Sequence, residues 1–263
     1  MSDLLSLLAL GAPLALGSVF LAWLVFLKTD NAGWVDVSWA LGLGALAVAF
    51  ALAGPGDASR RLLLGLLGGT WALRLGLHLA HRVATETHED GRYTDLRQRW
   101  GGNIRLKFLG FFLLQGAFNL VLATPFFLMA LDPRPGLSPL LGAGAAVLVL
   151  AVLGEGLADR QLRAFKADPD SRGQVCRRGL WGWSRHPNYF FEWLVWVGWL
   201  LMALPSPHGW LALVSPLLIL HVLLKVTGIP ATEAQALRSR GEAYARYQTE
   251  VSPFIPLPPR SRS

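Results

Sequence analysis

Seven long apolar runs dominate the sequence, and each is close to the length that an α-helix needs to cross a bilayer. A crossing takes about 20 apolar residues at a rise of about 1.5 Å per residue. We therefore predict an all-α polytopic membrane protein, with a seven-helix transmembrane bundle over residues 1–230 and a short cytoplasmic amphipathic helix and Pro-rich tail over residues 231–263. The runs cover residues 4–27, 34–53, 61–81, 108–131, 138–158, 188–204 and 209–226.

The composition agrees with a membrane protein. Hydrophobic residues make up 53% of the chain and charged residues only 16%, whereas soluble domains carry about 25% charged residues. There is a single cysteine, so the sequence excludes a disulfide framework and a cysteine-based metal cluster.

The distribution of Lys and Arg predicts the orientation in the membrane. If all seven runs span it, 20 of the 24 basic residues fall on one side, 3 fall on the other, and Arg74 lies within a span. Because basic loops stay in the cytoplasm, we expect the N-terminus outside and the C-terminus inside, in a bacterial inner membrane. The net charge of +7 then reflects topology, and no nucleic-acid partner is expected.

The third run carries four polar residues at positions where a membrane-spanning helix usually has apolar ones. Arg74, His78, His81 and Arg82 share one face of the predicted helix. A charge within a span costs about 2.5–3.5 kcal/mol, so such groups usually face the protein interior. The face is either one wall of a polar cavity or a structural network whose last residue reaches the interface.

The fifth run ends with Glu155, Asp159 and Arg163, each four residues apart. Asp159 and Arg163 have the spacing of a simple helical ion pair. Glu155 lies deeper in the run and needs a partner or a ligand.

The start of the sixth run is the most informative stretch. Residues 184–189 read Ser-Arg-His-Pro-Asn-Tyr, and Glu192 follows. Pro187 suits a first helical turn, whose free N–H groups favour phosphate, and arginine binds phosphate through two parallel hydrogen bonds. The stretch is therefore either a site for an anionic nucleotide or a helix cap with basic flanks. No Rossmann or P-loop glycine pattern is present, and no metal site is expected.

The segment Gly179–Glu192 resembles the steroid 5-alpha-reductase superfamily, in particular its uncharacterised bacterial branch with the 3-oxo-5-alpha-steroid 4-dehydrogenase C-terminal-type domain. It is more distantly similar to sterol reductases and isoprenylcysteine carboxyl methyltransferases. The resemblance extends to Gly91–Tyr93, Asp159–Leu162, Phe165-Lys166, Tyr244–Tyr247 and Phe254–Pro256.

The resemblance implies that NADPH enters from the cytoplasm and that a lipophilic substrate enters from the bilayer. In the reductases, equivalents of Arg82, Arg92, Asp159, Asn188 and Glu192 hold the cofactor. We expect neighbouring side chains of this chain to contribute to the same site, namely Tyr93, Arg163, Lys166, Arg185, His186 and Tyr189.

The steroid enzymes hold the 3-oxo group with a Gln-Glu pair on an early helix and a Tyr on the third span. This chain has Asp36 in the early region, with no Gln-Glu pair, and Leu79 near the Tyr position. Asp36, His78 or His81 is therefore expected to act as the catalytic acid.

The expected function is NADPH-dependent hydride transfer to an activated C=C bond of a steroid, sterol or isoprenoid-like substrate. One alternative is an S-adenosylmethionine-dependent methyltransferase, which His186, Tyr189, Glu233 and the tail fit equally well. Arg82 and Arg92 favour the reductase, because the phosphates of NADPH require more cations than a sulfonium cofactor does. The other alternative is a lipid-binding protein without catalytic activity.

Overall fold

The computed structural model describes residues 2–86 and 88–260 of the chain, and this part is helical without strands. The prediction of an all-α protein is therefore confirmed for the described residues. The α-helices are α1 (Ser2–Thr29), α2 (Trp34–Ala53), α3 (Ala58–Thr85), α4 (Gly91–Trp100), α5 (Ile104–Leu122), α6 (Thr124–Leu131), α7 (Pro139–Ala167), α8 (Pro187–Ala203), α9 (Val214–His221), α10 (Ile229–Arg240) and α11 (Glu242–Glu250).

Six helical segments of this part are long and apolar enough to cross a membrane: α1, α2, α3, α5, α7 and the segment Gly209–Arg240. The chain is therefore an integral membrane protein. The remaining predicted span, the sixth run at 188–204, corresponds to α8, which has 17 residues. That length is at the lower end of the range of about 17–25 residues that crossing helices use, and the count of seven stays a prediction.

Two predicted runs are not continuous α-helices in the structure. The run 108–131 is interrupted, because α5 ends at Leu122 and α6 begins at Thr124. Pro125 explains the break, since it has no N–H to donate to the carbonyl of Val121; that carbonyl accepts from Thr124 Oγ1 at 2.7 Å instead. The run 209–226 begins as a 3-10 helix at Gly209–Leu213 and ends as a π-helix at Val222–Val226.

The chain divides into two compact units. The first contains the chain up to Ala143 together with Trp199–Ser215, and the second contains Gly144–Gly198 and the chain from Pro216 onward. The predicted boundary at residue 230 separates membrane-spanning from cytoplasmic residues, which is a different division, and it stays a prediction.

Small residues bring α2 and α3 of the first unit close together. A Cβ atom at Gly44 would lie 2.4 Å from the Cβ of Ala72, and one at Gly68 would lie 2.4 Å from the Cβ of Ala47. Small residues of this kind allow backbones to approach within a membrane, where burial from water does not drive association.

Aromatic residues fill the core beside the starts of α2, α4 and α5. Phe26, Tyr93, Phe108 and Phe112 are buried there, and Phe26 and Phe108 contact each other with ring centroids 5.0 Å apart. The core includes Ala32 of the loop between α1 and α2 and Tyr93 of α4, so it packs against both segments.

In the second unit, the chain after α11 runs beside the residues that precede α8. Ser184 and Ser252 form an isolated parallel bridge, and the N–H of Leu257 donates to the carbonyl of Trp183 at 3.0 Å. We call residues 251–260 the C-terminal segment. Its Phe254 is buried against Phe190 and Trp193 of α8.

Candidate functional site

Asp36, in the first turn of α2, is the centre of a charged network in the first unit. One carboxylate oxygen accepts from Tyr93 Oη at 2.6 Å. The other accepts from Arg92 at 2.8 Å and from Arg82 at 3.3 Å. These bonds join α2, the end of α3 and the start of α4.

Asp90 completes this network at the N-terminus of α4. Its side chain accepts from the backbone N–H of Arg92 at 3.0 Å, which caps the helix, and from the Arg92 guanidinium at 3.0 Å. Burial by itself would raise the pKa of Asp90, but the charge and hydrogen bonds of Arg92 outweigh it and lower the pKa to about 2. The network therefore holds two carboxylates and two guanidinium groups.

Tyr93 is buried under this network with 3% of its surface exposed. Burial and the nearby Asp36 carboxylate raise the pKa of its hydroxyl well above the usual value. Tyr93 therefore stays protonated at neutral pH and donates to Asp36. The Arg92 guanidinium lies 5.2 Å from the centroid of the Tyr93 ring, close enough for a cation–π contact.

A second ion-pair group fixes the adjacent loops. Arg97 of α4 donates to Glu89 at 2.7 Å and to Asp30 at 3.1 Å. Glu89 in turn accepts from the backbone N–H of Ala32 at 2.6 Å. The loops before α2 and before α4 are thus tied together beside Asp36.

Four predicted site residues, Asp36, Arg82, Arg92 and Tyr93, therefore lie together, but they bind one another. Both arginines form hydrogen bonds with carboxylates of the protein, so neither guanidinium group is free to bind phosphate. His81 is exposed, and its side chain makes no hydrogen bond or ion pair within the described residues. His78 is half-buried one helical turn before Arg82. The roles predicted for these residues in binding or acid catalysis stay predictions.

Arg185 is the centre of a different network in the second unit. Its guanidinium donates to Glu233 of α10 at 2.6 Å and to the carbonyls of Gln248 and Val251 at 2.8 and 2.6 Å. The side-chain amide of Gln248 also donates to Glu233, at 2.8 Å. Arg185 therefore links the start of α8 with α10, the end of α11 and the C-terminal segment.

His186 also contacts Glu233, with 3.2 Å between Nε2 and Oε1. Burial lowers the pKa of His186, against the opposing effect of the Glu233 carboxylate, so the ring is neutral at pH 7. A carboxylate only accepts, so Nε2 must carry the proton and Nδ1 is left as an acceptor. The ring stacks on Tyr189, with centroids 5.3 Å apart and planes at 7°.

The first turns of α8 hold three more predicted site residues. The Tyr189 hydroxyl is 3.1 Å from Thr232 Oγ1, and Glu192 accepts from Trp196 Nε1 at 2.9 Å. The side-chain oxygen of Asn188 is buried without a hydrogen-bond partner among the described residues, as is the indole nitrogen of Trp193.

The charged residues at the end of α7 differ from one another in solvent exposure. Glu155 and Asp159 are buried, whereas Arg163 and Lys166 are exposed. Trp181 Nε1 donates to the carbonyl of Ala158 at 2.9 Å, in the turn that carries Asp159. The segment before α8 is therefore held against α7 within the second unit.

The structure adds Asp90, Gln248 and Tyr247 to the predicted site residues. Glu233 was considered only for the methyltransferase alternative, although its place three residues after Pro230 in a new helix was a usable signal. Burial raises the pKa of Tyr247, and its hydroxyl donates to the carbonyl of Trp181. Among residues 2–86 and 88–260, no three His, Cys, Asp or Glu side chains are placed to hold a metal ion.

Comparison with known proteins gives one match. A family model described as a protein of unknown function (DUF1295) matches residues 22–251. No curated protein and no solved structure matches the chain. The match covers most of the chain, including both charged networks.

Proposed function

The chain belongs to the DUF1295 family, and we propose that it is a membrane reductase that transfers hydride from NADPH to an activated C=C bond of a lipophilic substrate. The family is associated with steroid 5-alpha-reductase-like proteins, which supports a steroid, sterol or isoprenoid-like substrate. We further propose seven spans, with α8 as one of them, an outer N-terminus and a cytoplasmic C-terminus in a bacterial inner membrane.

The observation that carries this proposal is one buried acceptor without a partner in the described part of the chain, the side-chain oxygen of Asn188 at the start of α8. A buried carbonyl oxygen without a partner costs about 1–3 kcal/mol, and Asn188 has such an oxygen. A donor on a bound cofactor, such as a carboxamide N–H or a ribose hydroxyl, would satisfy it. The residues present therefore fit a nucleotide cofactor.

Five residues of the second unit have roles in the proposed cofactor site. Asn188 would accept a hydrogen bond from the cofactor, and the stacked rings of His186 and Tyr189 would bound the site on one side. Arg185 and Glu233 would position His186 rather than contact the cofactor. NADPH, when bound, supplies the hydride.

The ion pairs of Arg82 and Arg92 with Asp36 favour the methyltransferase as a second candidate. In the sequence, these two arginines favoured NADPH because they could bind its phosphates. We assign these two arginines to holding α2, α3 and α4 together. S-adenosylmethionine carries a positive sulfonium and no phosphate, so its binding does not require free arginines.

Cofactor binding by the purified full-length protein in detergent tests the proposal. NADPH and S-adenosylmethionine are titrated separately and binding is measured by calorimetry. We expect saturable NADPH binding, weakened about tenfold in Asn188→Ala, because the variant removes a hydrogen bond to the cofactor from a buried site.

Gln98→Ala is the matched control, because it removes an exposed side-chain amide of α4. It should leave the NADPH affinity unchanged. Binding of S-adenosylmethionine with none of NADPH would overturn the reductase and support the methyltransferase. Binding of neither cofactor would leave the lipid-binding alternative.

A further inference from the structure

A polar groove of about 730 Å³ in the second unit lies outside the candidate site. It is lined on one side by the loop after α7 and on the other by α11 and the chain that follows it. Three arginines, Arg177, Arg246 and Arg260, line the groove together with one carboxylate, Glu250. These residues are up to 83 positions apart in the sequence, so only folding brings them together.

The two walls of the groove are held in place by contacts of their own. Arg240 Nε donates to the carbonyl of Gln174 at 3.0 Å, which holds the loop. Val175 packs against the cluster that contains Tyr244 and Tyr247. A site with fixed walls loses little conformational entropy when a ligand binds.

The groove carries an excess of positive charge. Arg177 forms an ion pair with Glu250 and stacks over the Tyr247 ring at 5.1 Å. Arg246 and Arg260 are exposed, and within the described residues neither forms an ion pair. The lining thus holds three arginines against one carboxylate, and two guanidinium groups remain available.

Phosphate is the ligand chemistry that this lining suits best. A guanidinium group donates two parallel hydrogen bonds to phosphate oxygens. The volume is within the range of about 300–1,000 Å³ for small-molecule sites. The charged lining does not suit an apolar substrate.

We propose that this groove binds a phosphate group, carried either by an anionic lipid head group or by a soluble phosphate compound. Arg246 and Arg260 contact the phosphate, and Arg177, fixed by Glu250 and Tyr247, borders it. The site is separate from the proposed cofactor site and does not depend on the reductase activity.

Two experiments on the full-length protein distinguish the sources of phosphate. In the first, delipidated protein in neutral detergent is titrated with pyrophosphate by calorimetry. In the second, protein is reconstituted in nanodiscs of phosphatidylcholine with phosphatidylglycerol, and the retained lipid is measured by native mass spectrometry. Each uses the double variant Arg246→Ala/Arg260→Ala and the control Arg99→Ala/Arg105→Ala, which removes two exposed arginines of the first unit.

We expect the groove variant to weaken pyrophosphate binding or phosphatidylglycerol retention by at least about tenfold, and the control by less than about twofold. Saturable pyrophosphate binding identifies a soluble phosphate compound, and selective lipid retention alone identifies a head group. If the groove variant matches the control in both experiments, the proposal is wrong and these arginines only set the topology.

Discussion

The two charged networks are built in opposite ways. In the first unit a carboxylate, Asp36, is the centre and accepts from two arginines and a tyrosine. In the second unit a guanidinium, Arg185, is the centre and donates to one carboxylate and two backbone carbonyls.

The two charged networks also differ in solvent exposure. The Asp36 side chain is 17% exposed, and its two arginine partners are 24% and 31% exposed. In the second network the carboxylate of Glu233 is similar at 14% exposed, but Arg185 is only 9% and His186 4% exposed. Because water screens the first network more than the second, removal of one partner should cost more in the second.

The largest effect is expected from Arg185→Met. The variant keeps most of the side-chain volume, but it leaves the Glu233 carboxylate without its cationic partner and the carbonyls of Gln248 and Val251 without their guanidinium donor. We expect a loss of about 3 kcal/mol in the free energy of unfolding, with faster proteolysis of the C-terminal segment. Denaturant unfolding in detergent and limited proteolysis measure the two effects.

The double variant Arg185→Met/Glu233→Gln is the control for this prediction. It removes the negative charge that has lost its cation, so it should be more stable than Arg185→Met alone. Equal stability of the single and double variants would mean that the pair is not what holds α8 to α10.

A smaller loss is expected from Asp36→Asn. The amide oxygen can still accept from Tyr93, but the charge opposite Arg82 and Arg92 is gone. Since these groups are partly exposed, we expect a loss of about 1–2 kcal/mol by the same unfolding measurement. A loss larger than that of Arg185→Met would reverse the ranking of the two networks.

The second network should also respond to acid in a pH range where the first does not. The pKa of His186 is lowered from 6.5 in the folded protein, so below pH 6.5 the unfolded chain binds a proton that the folded chain rejects. Stability therefore falls as the pH drops below 6.5, by at most about 1.4 kcal/mol per pH unit.

Unfolding midpoints from pH 7.5 to 5 test this, and His186→Gln should flatten the profile. A profile that His186→Gln leaves unchanged would contradict the assignment to this ring.

In the first unit, the pKa of Asp90 is lowered from 3.8 to about 2. The stabilisation by Asp90 is complete above pH 3.8 and is lost only as the pH falls towards 2.

The smallest effect is expected from Arg178→Ala. This side chain pairs with Asp168 at 2.8 Å, but it is 60% exposed. An exposed pair contributes little because solvent screens it, so the unfolding midpoint should hardly change. A shift as large as that of Asp36→Asn would show that exposure does not explain the difference between the networks.

The sequence by itself determined the helical architecture and its membrane character. An apolar run and a prolyl break are local properties, so α2 was predicted with its observed bounds, Trp34–Ala53. The start of α8 was predicted to within one residue, because the run begins at 188 and Pro187 occupies the first turn of the helix. The break before α6 was also readable from Pro125, although the run 108–131 was predicted as one helix.

Only the tertiary structure decided which charges meet. Arg92 is 56 residues from Asp36, and Glu233 is 48 residues from Arg185. Hydropathy and helical periodicity give the face on which a residue lies, but the partner depends on how distant helices pack and how the connecting loops turn. For that reason, Arg82 and Arg92, which the sequence suggested as phosphate ligands, lie in ion pairs, while Arg246 and Arg260, which were not predicted as ligands, line an open groove.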